Sequence, residues 1–168
     1  MNRYLESSYR FGLIGGAFSI LAFVVFYLLG QDPTNLSLVF GYIILPAFIF
    51  VGIRYFRKTV NDDMLSFAHG MTIGFLIYCI IGIMSGLGIF LILLIVPGLF
   101  DMIKANKIAV LEENKDLIIS QLNEESFNIT FESILAMSAW DVAFNDFIWK
   151  ILPGLFFTII ISIILRKT

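Results

Sequence analysis

Four stretches of this chain, Phe11 to Leu29, Leu38 to Ile53, Met71 to Val96 and Phe147 to Leu165, contain no Asp, Glu, Arg or His, and only Lys150 interrupts them, near one end. A helix needs about 20 consecutive apolar residues to cross the roughly 30 Å hydrocarbon layer of a bilayer. Three of the four runs approach or exceed that length. The second is shorter, but Asn35 to Ser37 and Arg54 to Phe56 extend it with side chains whose polar ends can snorkel. In hydrocarbon every backbone amide must be satisfied internally, and continuous apolar runs rather than short alternating ones select helices over a barrel. The expectation is an all-α, polytopic membrane protein. Its four transmembrane helices fall at about 11–29, 36–56, 70–96 and 147–166 of a single domain spanning 1–168. An extracytoplasmic amphipathic helical insertion, about 97–146, separates helices 3 and 4. A hydrophobic content of 59% and a mean hydropathy of +0.93 lie outside the range of soluble domains and agree with this.

The first run begins with Arg3 and Arg10 but is long and ends in Leu29-Gly30-Gln31-Asp32 without a small-x-small cleavage pattern, so it is expected to be a retained span. Orientation follows from the basic residues near span ends. Arg3 and Arg10 precede span one, Arg54, Arg57 and Lys58 follow span two, and Arg166 and Lys167 follow span four, seven of the 11 basic residues. The connection from Gly30 to Ser37 has none. The long third connection carries nine acids: Asp101, Glu112, Glu113, Asp116, Glu124, Glu125, Glu132, Asp141 and Asp146. Both termini are therefore expected on the cytoplasmic side and the acidic connection outside.

Gly30 to Asn35 is dense in turn formers and predicts a tight hairpin between spans one and two. Pro46 falls within span two and predicts a kink. Arg54, Tyr55, Arg57 and Lys58, together with Trp140 and Trp149, are the expected interfacial anchors. Asn61-Asp62-Asp63 reads as a turn. The third connection is too long to be structureless in a compact protein. Apolar residues at Ile103, Val110 and Leu117, flanked by Leu111, Ile118 and Leu122, predict an amphipathic helix over 102–122. Asn123 to Ser126 breaks it, Thr130 is a candidate cap for a second helix running on towards span four, and Pro153 bends or starts the membrane part.

Small residues four apart recur at Gly12 and Gly16, at Gly70 and Gly74, and at Gly82 and Gly86. Membrane helices associate through close backbone approach, so these glycines are helix-packing or partner-interface positions, with packing inside one chain the commoner use of such spacing. The spans show no ionisable residue in their interiors once Lys150 is placed at an edge. That argues against a proton-coupled pump, a voltage sensor or a charged filter, because intramembrane charges mark such paths. A pore for neutral solutes lined by Ser19, Thr72, Tyr78, Ser85, Thr158 and Ser162 stays open. The single His69, at a membrane edge beside Ser66, and the single Cys79 supply neither a catalytic triad, a metal site nor an intrachain disulfide. No cofactor and no nucleic-acid partner is implied.

The chain resembles a family of small bacterial four-span membrane proteins known as a domain of unknown function and common in Bacteroidota. The likeness covers nearly its whole length. It rests on the glycine-rich opening from Phe11 to Gly16, on Gly52-Ile53-Arg54-Tyr55-Phe56-Arg57, on Ser66-Phe67 with Gly70 and Gly74, on the long charged third connection, and on the last span from Ile160 to Lys167. The resemblance implies a multi-pass protein of the bacterial cytoplasmic (inner) membrane and brings no activity with it. The functional expectation is a non-enzymatic accessory or assembly subunit of a larger envelope complex. Its partners would be the lipid bilayer and either other membrane subunits or a second copy of itself. The alternative is a small oligomeric transporter or channel for a neutral solute.

Overall fold

The computed structural model describes residues 3–167, which are helical almost throughout. In chain order the elements are α1 (Arg3–Leu28), α2 (Pro33–Tyr55), a single π-helical turn continuing it (Phe56–Val60), α3 (Phe67–Ile95), α4 (Leu99–Glu113), α5 (Lys115–Gln121), α6 (Glu124–Ala136) and α7 (Ala139–Ile164). Four of these, α1, α2, α3 and α7, are long and apolar enough to cross a membrane. The 29 residues of α3 reach ~44 Å at the helical rise. The chain is an all-α membrane protein.

Local chemistry sets the turns. Asp32 caps α2, its carboxylate accepting from the Thr34 amide at 2.9 Å and the Thr34 hydroxyl at 2.6 Å. Pro33 follows at the first helical position, where its missing N–H is no loss. Gly30 and Gly98 supply positive φ at the ends of α1 and the start of α4. At the opposite end of the bundle Asp62 and Asp63 form a left-handed turn that Asp tolerates. There Leu65 and Lys167 exchange backbone hydrogen bonds of 2.7 and 3.0 Å. Arg57 donates to the Leu165 carbonyl at 3.2 Å and lies 3.1 Å from Asp63, which also pairs with Lys167.

α3 is the central helix, packed along α1 on one side and α7 on the other, while α2 closes the bundle against α1 and α7. Leu45, Ile49, Ile53, Phe56, Ile73, Ile77 and Ile81 fill its basic half. In the acidic half Phe23, Ile89 and Leu93 meet Leu99 and Ile103 of α4 and Val142 of α7. Leu21, Ile43, Leu87 and Phe156 point outwards and are more than half exposed, the surface that lipid covers.

The third connection differs from expectation in three ways. The helix expected over 102–122 is interrupted at Asn114, whose side chain donates to the Val110 carbonyl at 2.8 Å and so competes with the helical ladder. The next helix starts at Glu124 because Asn123 accepts from the Ser126 amide at 2.7 Å; Thr130 lies inside α6 and donates to the Ser126 carbonyl. Finally, α6 does not run on. Ser138 and Asp141 form a reciprocal capping box that opens α7 at Ala139, ahead of the expected boundary at 147. Lys104 of α4 donates to the Leu135 carbonyl of α6, and Lys115 of α5 sits 5.1 Å from the Phe127 ring, so α4, α5 and α6 form a cap over the acidic end.

Candidate functional site

Asp146, Lys150, Gly154, Thr158 and Ser162 recur every fourth residue and therefore form one ridge along α7. All five are buried. Asp146 and Lys150 form an ion pair, Nζ to Oδ1 at 2.5 Å, with only 8% and 1% of their side chains exposed. The second carboxylate oxygen accepts from the Ser85 hydroxyl of α3 at 2.6 Å. On α2, Gly41 leaves space beside the lysine stem: a Cβ there would lie 3.9 Å from Lys150 Cε. Lys150 is about 21 Å from the end of α7 at Ile164 and about 16 Å from its start at Ala139.

This corrects the reading of the span interiors as free of ionisable groups. The apolar run begins one residue after Asp146, so the sequence assigns that carboxylate to the outer connection, whereas the helix that buries it begins a full two turns earlier. The available signal was the spacing Asp146-x-x-x-Lys150, the i,i+4 pairing of a buried helix face.

Asp146 also lies on the wall of a cavity of about 680 Å³ between the bundle and the cap. Its polar lining includes Asp32 and Asn35 from the first hairpin, Lys107 of α4, Ser133 of α6, and Asp141 and Asn145 of α7. Ser37 of α2, outside the cavity lining, is 2% exposed and its hydroxyl has no partner. One turn before Gly41 on the same face of α2, it is level with Asp146, because α2 and α7 run in the same direction.

The expected site glycines are all used within the chain. A Cβ on Gly12 or Gly16 would strike Ile80 or Met84 at 2.6 Å, between α1 and α3. On the other face of α3, Gly70 meets Ser162, Gly74 meets Thr158, Gly82 meets Phe147 and Gly86 meets the Ala143 carbonyl, all on α7. Gly82 and Gly86 also border an apolar cavity of about 230 Å³ with Trp140, Phe144 and Phe147.

Of the expected anchors, Arg54, Tyr55 and Lys58 are exposed at the basic end, while Arg57 is drawn inwards to Leu165 and Asp63. Trp140 and Trp149 stand on the outside of α7, the former edge-on to Phe90 at 5.7 Å. The six pore candidates do not surround a common lumen. Thr72 is exposed and donates to Ala68, Ser19 donates to Gly15, and Tyr78 packs on Gly154. Thr158 and Ser162 have buried hydroxyls without partners. His69, half-buried in the first turn of α3, has its ring centroid within 6 Å of those of Tyr4 and Phe56, and its amide donates to Ser66 in the cap of α3.

A family model described as "Protein of unknown function (DUF4199)" matches residues 10–167. No curated protein and no solved structure matches the chain.

Proposed function

From the premise that the chain belongs to the family described as protein of unknown function (DUF4199), we propose that it is a small non-enzymatic transporter working in the bacterial inner membrane. Both termini face the cytoplasm and the cavity faces outwards. The concentration of basic residues at the end that joins α2 to α3 and carries both termini supports this orientation. The observation that carries the transport reading is the Asp146–Lys150–Ser85 network at the edge of a cavity with polar groups set in largely apolar walls. A buried ion pair adds little net stability compared with apolar packing, so its presence in a span is better accounted for by use than by folding. The solute is small and amphipathic, matched to amide, hydroxyl and carboxylate groups set among apolar side chains, and moves without covalent change.

The glycine faces, which would otherwise supply contact surfaces for an accessory subunit, are occupied within the chain. That second reading draws instead on the cap, where Val110, Leu122 and Ile129 are more than half exposed outside the spans. A thermal-shift panel of sugars, amino acids and polyamines on the protein in lipid nanodiscs separates the two. Transport predicts that one class raises the melting temperature of the native chain and leaves an Asp146→Asn/Lys150→Gln variant unmoved. No shift with any class, together with stoichiometric recovery of other membrane proteins on gentle extraction, moves the accessory reading to first place.

A further inference from the structure

The two ends of the bundle are fastened differently. At the basic end the paired backbone bonds of Leu65 and Lys167, and Arg57 on the Leu165 carbonyl, latch the elements together. At the acidic end, among the described residues, no hydrogen bond or ion pair joins α4, α5 or α6 to α1, α2, α3 or α7. What joins them is apolar. Leu99 and Ile103, at the start of α4, and Met137, just past α6, belong to one cluster with Phe23, Ile89, Leu93 and Val142. Beyond Ile103 the cap holds together through its own contacts. α4 continues to Glu113, ~15 Å at the helical rise. α5 has no buried residue, and Phe127, the one buried residue of α6, lies beside Phe131 and Lys115 of the cap itself. Both chain connections to the cap lie at the same root: Gly98 is left-handed, with φ of 76°, and Met137 and Ser138 are extended, so no helix runs continuously from the bundle into the cap.

We infer that α4, α5 and α6 form a hinged lid, pivoting on the root at Leu99, Ile103 and Met137, that closes the cavity by bringing Lys107 to the carboxylates of Asp32 and Asp141. Two non-helical joints flanking a single apolar cluster define a hinge line. Apolar contact is non-directional, so the root can shift without breaking a bond, and a segment with few buried contacts to its neighbours moves at low free-energy cost. Charge supplies the direction. Lys107 lines the cavity from the cap, and Asp32 and Asp141 line it from the bundle. Among the described residues Lys107 has no ion pair. Asp32 and Asp141 cap their helices through Thr34 and Ser138, yet each remains a carboxylate with lone pairs to spare, and Asp141 accepts both Ser138 bonds on Oδ2 alone. The flexible lysine stem spans part of the gap, and movement of the cap closes the rest. Lid closure over a site excludes bulk water from it and commits what lies inside.

The lid rests on the cavity used in the transport reading, but its movement needs no solute, so the two fail separately. The test is pulsed electron-spin distance measurement on the full chain in lipid nanodiscs without added solute, in a Cys79→Ala background. Labels on Gln31→Cys, at the tip of the first hairpin, and Ile129→Cys, on the outer face of α6, report the separation of lid and bundle; both positions are exposed, so labelling leaves the packing intact. Labels on Gln31→Cys and the exposed Lys58→Cys report the bundle alone and share the hairpin label, so movement of the hairpin would appear in both pairs. The expected result is two distances for the lid pair, the shorter from the closed lid, and one for the bundle pair. Lys107→Met should remove the shorter distance. A single distance for the lid pair, as sharp as that of the bundle pair, overturns the lid, and a shorter distance that survives Lys107→Met overturns the closing contact.

Discussion

Replacing Gly74 with Ala adds one methyl group and tests whether the α3–α7 seam is packed as described. An ideal Cβ at this position would lie 2.3 Å from Thr158 Cγ2, 2.6 Å from Oγ1 and 3.0 Å from Cβ. Comfortable carbon contacts are at about 3.5–4.0 Å. Rotating Thr158 can clear at most one of the first two clashes, because its Cβ carries two heavy atoms in three staggered positions, and it leaves the third, so the helices must part. Overpacking of this kind costs about 1–3 kcal/mol, and the better helix propensity of Ala returns about 0.5–1 kcal/mol, leaving a net destabilisation of ~1–2 kcal/mol. Thr158→Ala removes both near atoms along with an unpartnered hydroxyl. In the double variant only the 3.0 Å approach remains, and most of the loss should be recovered, a favourable coupling of ~1–2 kcal/mol. Detergent-driven unfolding followed by tryptophan fluorescence suits the measurement, because Trp140 and Trp149 both report from α7. If the single variant matches the native protein, or the double is merely additive, the seam is not closed in this way and the glycine stripe is free for a partner.

Three further outcomes are expected. Lys150→Met, which strands a carboxylate with little exposure, should destabilise by about 3–5 kcal/mol and regain most of it in combination with Asp146→Asn, whereas equal stability of the two variants refutes burial of the pair. The hydrogen bond from Lys167 holds the Asp63 carboxyl below the usual carboxylate range, aided by the charges of Lys167 and Arg57 and opposed by burial. A folded value below the unfolded one makes this tie present above the ordinary carboxylate range and lost as pH falls through the lowered value. Protection of the Leu65 and Lys167 amides, corrected for intrinsic exchange, should therefore drop on acidification, and Asp63→Asn should abolish that pH dependence; persistence of it in the variant places the titration elsewhere. With the cap outside, a Glu124→Cys variant should react with a membrane-impermeant thiol reagent in intact cells, and labelling only after lysis inverts the orientation.

The four long helices were legible because hydrocarbon imposes one simple demand, an uninterrupted apolar run of membrane length. The cap was legible as helical but not in its breaks. Asn114 and Asn123 each interrupt or start a helix through a single side-chain hydrogen bond, and Asn residues in a polar segment do not reveal which of them will do so. The candidate site was missed for a related reason. Hydropathy places a boundary where polar residues begin, but a polar residue can enter a helix bundle if its partner lies on a neighbouring element. Ser85 is 61 positions away from Asp146. Only the helix start at Ser138, fixed by the capping box with Asp141, brings Asp146 inside.

Packing differs between the two faces of α3. Towards α1 the glycines receive apolar side chains, Ile80 and Met84 against Gly12 and Gly16, and the nearby Ser19 hydroxyl is satisfied by the Gly15 carbonyl. Towards α7, Gly70 and Gly74 receive the polar Ser162 and Thr158, whose hydroxyls are left without partners, while Gly82 receives Phe147, and the same ridge of α7 carries Lys150 and Asp146. A buried hydroxyl without a partner costs about 1–3 kcal/mol, which an alanine at either position would avoid. A seam chosen for stability alone would carry apolar side chains at positions 158 and 162, as the α1–α3 seam does at Ile80 and Met84. On the transport reading proposed above, this polar ridge, rather than the apolar α1–α3 seam, is the side of the bundle expected to open.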